Sequence, residues 1–202
     1  MRKGASTMHR SCVPWLVLLV GLITCARAPR ADASPSAHEE VPPDDERPTE
    51  ASPCGPGETA MVVDTRAHRL TLCEAGRARE SFPVALGSGG VDKRRVGDNK
   101  TPLGAYGLGA PRASQDFHLF VPVAYPTAAQ ARLGFTGSAI GIHGPPRGFA
   151  GALARIPVPL PDWTAGCIAV RTDAEIDRIA AWLRARTAPR IRLEPGSRLG
   201  SP

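Results

Sequence analysis

Ala60-Met61-Val62-Val63-Asp64-Thr65, then Arg66-Ala67-His68, then Arg69-Leu70-Thr71-Leu72-Cys73 reads as strand, turn and strand. Short apolar, β-branched runs on either side of a polar turn are the signature of paired strands. The same cadence continues outward. Glu80–Leu86 is a third strand, pushed toward an edge or a bulge by Pro83, which has no amide to give a ladder. Gly87–Asn99 is a loop rich in glycine and charge, and Tyr106–Leu108, Phe117–Val123, Ala139–His143 and Arg190–Leu193 read as further strands. Glycine and proline number 21 each and aromatics make up 5% of the chain, a balance that favours turns and short strands over a helical bundle. One good helix interrupts the pattern. Thr172-Asp173-Ala174-Glu175 has the form of a capping box, and Ile176, Ile179, Ala180 and Leu183 follow on one face until Pro189. A shorter helix fits Thr127–Leu133. The expected domain, residues 57–202, is therefore mainly β with one amphipathic helix near its C-terminal end.

Upstream of the strands the composition changes twice. Residues 2–10 are basic and residues 13–24 are apolar, too short a run to span a bilayer and suited to the core of an export signal over residues 1–25. Two endings compete. Leu22-Ile23-Thr24-Cys25 resembles a lipobox, in which Cys25 would receive lipid, although Thr24 departs from the usual small residue. Ala31-Asp32-Ala33 offers a small-x-small cleavage site instead, and Met8 is a second candidate start. Residues 26–56 are dominated by Ala, Pro, Ser, Asp and Glu, and read as a disordered linker that buries too little apolar surface to offset its ordering entropy.

An exported chain meets an oxidising compartment, so cysteines sort by position. Cys54 and Cys73 flank the first strand and form a plausible disulfide, which leaves Cys167 as an unpaired thiol in need of a reason. No cysteine pair has zinc-finger spacing, and neither a metal nor a cofactor is expected. The net charge of +6 conceals an acidic linker and a basic domain. A basic domain suits an anionic polymer or an acidic wall. Basic residues are not strung along one helix face or interleaved with aromatics, so nucleic acid is not the expected partner.

Two segments carry chemistry: Ala139-Ile140-Gly141-Ile142-His143-Gly144-Pro145-Pro146, and Asp162-Trp163-Thr164-Ala165-Gly166-Cys167-Ile168-Ala169-Val170. A thiol becomes a strong nucleophile when an imidazole takes its proton. Gly166 permits a tight turn that aims backbone amides at one point, as an oxyanion requires. His143, at a strand end beside Gly144, is expected at a rim rather than in a core. The bland alternatives are a small core cysteine and a packed histidine.

These segments resemble the L,D-transpeptidase catalytic domain, the YkuD-type family. That family pairs an Ile/Val-His-Gly segment with a later Ser/Thr-x-Gly-Cys-Ile/Val segment. Upstream it has Thr-Pro-x-Gly-x-Tyr/Phe, matched here by Thr101-Pro102-Leu103-Gly104-Ala105-Tyr106. The nearer likeness is to a branch with Gly-Asp-x-x-Thr-Pro and Asp-Trp-Thr-x-Gly-Cys-Ile-Ala-Val, present as Gly97–Pro102 and Asp162–Val170. The resemblance covers about residues 59–193. It implies a β-sandwich or barrel in which Cys167 attacks the carbonyl joining an L-centre to a terminal D-residue of a peptidoglycan stem peptide. His143 would be the base, and Gly166 and Cys167 would offer amides to the oxyanion. Thr164 matches the family's Ser/Thr, or simply caps its turn. An amine of a neighbouring stem would take the acyl group, in wall crosslinking or in attaching protein to wall. Carbapenems would acylate the same thiol.

Two departures stand out. Many members have His where this chain has Ala165, and Arg, a candidate to grip a substrate carboxylate, where it has Ala169. Arg171 is the nearby substitute. Trp163 either lines the cleft or packs, and Lys93, Arg94, Arg95 and Lys100 either meet acidic wall groups or form a solvated loop. The competing functions are a hydrolase that gives the same acyl group to water (an L,D-carboxypeptidase or an amidase) and a wall-binding module without catalysis.

Overall fold

The computed structural model describes residues 52–148 and 150–196. The expected export signal, both of its candidate ends at Cys25 and Ala33, and the linker as far as residue 51 lie outside the described residues. The strands are β1 (Ala60–Asp64), β2 (Arg69–Glu74), β3 (Arg77–Ala85), β4 (Gly104–Gly107), β5 (Arg112–Ala113), β6 (Leu119–Pro122), β7 (Gly141–His143), β8 (Ile168–Val170) and β9 (Arg190–Glu194). Among the described residues three helices join them: α1 (Ala128–Arg132), α2 (Ala150–Leu153) and α3 (Asp173–Arg184). The architecture is mainly β, a nine-stranded sheet in the order β4-β9-β1-β2-β3-β8-β7-β6-β5. It curls into a half-barrel: Leu108, just past β4, bridges to Val123, just past β6. Among these nine strands only the pairs β1–β9 and β7–β8 run parallel.

Pro83 does not lie in an edge strand. β3 is central, and Pro83 marks where it changes partners: residues 77–83 pair with β2, while Val84 and Ala85 pair with β8. The amide of Val84 donates to His68 O, so by alternation Pro83 faces away from β2, where β3 has no neighbour yet. A proline is harmless at such a point. Packed structure also begins earlier than residue 57. Cys54 is buried and joined to Cys73, with a Cα–Cα distance of 5.5 Å, and this holds residues 52–56 against β2.

Alternation along the strands divides the sheet into two working faces. Val121, Ile142, Ile168 and Val170 point to the main core, where the α3 stripe Ile176, Ile179 and Leu183 covers them. Burying each such aliphatic side chain contributes roughly 1.5–3 kcal/mol. The α3 capping box is complete, with Thr172 accepting from the Glu175 amide and Glu175 accepting from that of Thr172. The helix therefore starts where its hydroxyl and carboxylate can satisfy its first amides. The opposite face carries Phe120, His143 and Ala169, and it holds the candidate site.

Candidate active site

His143 ends β7 and Cys167 immediately precedes β8. The parallel register pairs Ile142 with Ile168 and His143 with Ala169, which sets Gly141 opposite Cys167. Residues two apart on neighbouring strands share a face, so the imidazole and the thiol rise from the same side of the sheet. The 23 residues between them pass through α2 and return.

The turn before Cys167 is built by its neighbours. Asp162 accepts from the Leu86 amide at 2.7 Å and meets His68 Nε2 at 3.1 Å, tying the segment to the β1–β2 turn. The Thr164 hydroxyl donates to Cys167 O at 2.7 Å and accepts from the Gly166 amide at 3.1 Å. It caps the turn. The Gly166 amide, expected to face an oxyanion, is thereby engaged. Gly166 has φ +122°, and a Cβ there would lie 2.5 Å from Lys100 O. The Gly-Asp-x-x-Thr-Pro stretch is the wall it meets. Thr101 is fully buried, its hydroxyl accepts from the Gly87 amide, and its own amide donates to Gly90 O.

His143 is only 1% exposed, so it sits within the packing rather than at a rim. Phe117 stacks on the ring with centroids 3.7 Å apart, and Trp163 meets its edge at 5.7 Å. Nδ1 lies 2.7 Å from Gly144 O. A carbonyl only accepts, so Nδ1 carries the proton and Nε2 is the free base. Burial lowers the imidazole pKa to about 4, against a partial upward pull from the Gly144 bond. Burial also pushes the Cys167 thiol up, partly offset by the Gly141 amide and the Lys93 charge. Its Sγ is 3.5 Å from Ala139 O. Both shifts favour the uncharged thiol and the uncharged imidazole. Cys167 opens into a cleft of about 470 Å³ that Arg112, Asp116, Phe117, Phe120 and Ala139 also line.

The basic residues divide differently from expectation. Lys93 is buried, its ammonium 2.7 Å from Asp98 and 3.0 Å from Arg95 O, so it is neither a solvated cation nor a free one. Burial raises the Asp98 carboxyl, but Lys93 and the amides of Arg95, Arg94 and Lys100 together hold it well below the usual carboxylate range. Arg94 pairs with Asp92 and lies over the Phe135 ring, while Arg95 is exposed and Lys100 half-buried. The Arg171 guanidinium bonds to Ala154 O and Ile156 O and anchors the segment after α2, so it does not replace the missing arginine at Ala169. Trp163 both packs and borders the imidazole.

Sequence reasoning missed Gly141, Phe117, Phe120 and Arg112. A Cβ at Gly141 would lie 2.3 Å from the Phe120 ring, so the glycine makes room for an aromatic beside the thiol. The signal was present in Ile140-Gly141-Ile142, a glycine inside a strand pattern. Among the described residues, no cluster of three His, Cys, Asp or Glu side chains could hold a metal.

The model of the YkuD L,D-transpeptidase catalytic domain matches residues 58–193. The chain belongs to this family. Its fold is similar to that of the helical cell shape determining protein Pgp2 from Campylobacter jejuni, at 23% identity and a TM-score of 0.56, over 69% of this chain and 48% of that one. Bd1075 from Bdellovibrio bacteriovorus aligns at 23% identity and TM-score 0.49 over 67% of this chain and 47% of the other. An L,D-transpeptidase from Xylanimonas cellulosilytica aligns at 16% identity and TM-score 0.42, over 71% and 63%. The chain thus spans about half the length of Pgp2 and Bd1075. No curated protein matches it.

Proposed function

We propose that this L,D-transpeptidase domain acts outside the cytoplasm on peptidoglycan stem peptides, with Cys167 as nucleophile and His143 as base. The observation that supports it most is the placement of a free thiol and an imidazole on the same sheet face, the thiol in a cleft. In this reading the thiol gives its proton to His143 Nε2 as Sγ attacks the carbonyl before the terminal D-residue. With the Gly166 amide engaged by Thr164, the Cys167 amide is the donor for the oxyanion. Collapse breaks the C–N bond, His143 returns its proton to the departing amine, and a thioester remains. An acceptor amine then attacks the thioester, gives a proton to His143, and releases the thiol. Asp116, an exposed carboxylate on the cleft, suits a cationic acceptor and supports transfer over hydrolysis. A carbapenem would enter the same sequence through its strained carbonyl and remain as a stable acyl group.

The test is incubation of the purified protein and of Cys167→Ser with muropeptides, followed by mass spectrometry. Crosslinked dimers formed only by the wild type are expected. Shortened stems without dimers would replace transfer by hydrolysis. Turnover by Cys167→Ser equal to that of the wild type would end the proposed mechanism.

A further inference from the structure

We infer that Arg112 grips the free carboxylate of the substrate's terminal residue, in place of the arginine that the family resemblance leads one to expect at Ala169. This inference rests on the reading of Cys167 and His143 given above. The strand registers align one row of residues across the sheet: Arg112 on β5 pairs with Phe120 on β6, Phe120 with His143 on β7, and His143 with Ala169 on β8. Directly opposed residues share a face. Arg112 therefore stands at the far end of the row that Ala169 occupies, on the side where Cys167 rises. Its side chain does not extend away from the site. The guanidinium lies over the Phe120 ring, 5.0 Å from the centroid, and that ring fills the space above Gly141, the residue opposite Cys167. One aromatic ring thus separates the guanidinium from the surroundings of the thiol.

The other candidates are occupied. Ala169 is buried and has no charge. Arg171 is bonded to two carbonyls, and Lys93 is enclosed with Asp98. Among the described residues, Arg112 is the one basic side chain lining the cleft with Cys167, and it is exposed with no carboxylate partner. A guanidinium presents a planar fork that matches a carboxylate, and stacking on Phe120 reduces the side-chain freedom lost on binding. In a substrate cleaved one residue from its end, the carboxylate follows the scissile carbonyl by a single residue. That spacing suits an anchor one ring away from the nucleophile.

Two measurements on wild type, Arg112→Gln and Arg112→Lys test this. The first is kcat/KM on a stem tetrapeptide ending in a free carboxylate and on the same peptide ending in a carboxamide. The wild type should prefer the carboxylate by tenfold or more. Arg112→Gln should lose that preference by falling on the carboxylate alone, and Arg112→Lys should keep part of it. An unchanged preference in Arg112→Gln, or an equal fall on both peptides, overturns the inference. The second is the alkylation rate of Cys167 by iodoacetate relative to iodoacetamide. Arg112→Gln should lower this ratio about fivefold while the iodoacetamide rate stays fixed, and an unchanged ratio counts against Arg112. If the wild type turns over neither peptide, the proposed function fails by itself and the alkylation ratio still decides the role of Arg112.

Discussion

Lowering the pH should destabilise this domain through His143. In the unfolded chain the imidazole binds a proton below its ordinary pKa of 6.5, whereas in the folded protein burial delays this until about 4. Protonation therefore favours the unfolded state throughout the interval between those values. The stability conferred by a neutral His143 is complete above pH 6.5 and is lost as the pH falls toward 4. At about 1.4 kcal/mol per pH unit, the loss by pH 4 is about 3 kcal/mol, a large part of the stability of a small domain. The comparison is with His143→Phe, which retains an aromatic ring against Phe117 and cannot titrate. That variant gives up the bond to Gly144 O, at a cost of about 1 kcal/mol that does not vary with pH. Urea unfolding at pH 7, 5.5 and 4 should show the wild type losing about 3 kcal/mol more than the variant. Paired carboxylates such as Asp98 also weaken in acid, but they do so in both proteins and cancel. Parallel stability curves would refute the argument, because they would mean that His143 takes up its proton in the folded state as readily as in the unfolded one.

Gly166→Ala should cost about 2 kcal/mol or more and slow alkylation of Cys167 by iodoacetamide, since its Cβ would lie 2.5 Å from Lys100 O at φ +122°. Urea melts and alkylation rates read the two effects separately. Lys93→Met should destabilise by about 2–3 kcal/mol because it leaves Asp98 with its charge and without its partner. Adding Asp98→Asn should restore part of the loss in the same unfolding assay. Reduction of Cys54–Cys73, which are 19 residues apart, should lower stability by about 3 kcal/mol as measured in urea with and without reductant.

Much of the molecule is legible in the order of its residues. Short apolar runs on either side of a polar turn place β1 and β2 to within a residue, and the capping box at Thr172 with its apolar stripe locates α3, because these patterns are local properties of the chain. Cys167 and His143 can be singled out by motif, and the family match over residues 58–193 agrees with that resemblance. α2 is not visible in the same way, since four residues carry no period.

By itself, then, the sequence determined most of the strands, though not the two-residue β5, where the long helix starts, and which thiol and imidazole to examine. Only the tertiary structure decided their surroundings. Strand register put Arg112, Phe120, His143 and Ala169 in one row, although 57 positions of the chain separate the first from the last. Packing buried His143 beneath Phe117, enclosed Lys93 with Asp98, and turned Arg171 to two carbonyls. The reason is physical. Periodicity and capping arise from neighbours a few residues apart, whereas burial and the partner of a charge depend on which strands lie side by side, and no local pattern specifies that.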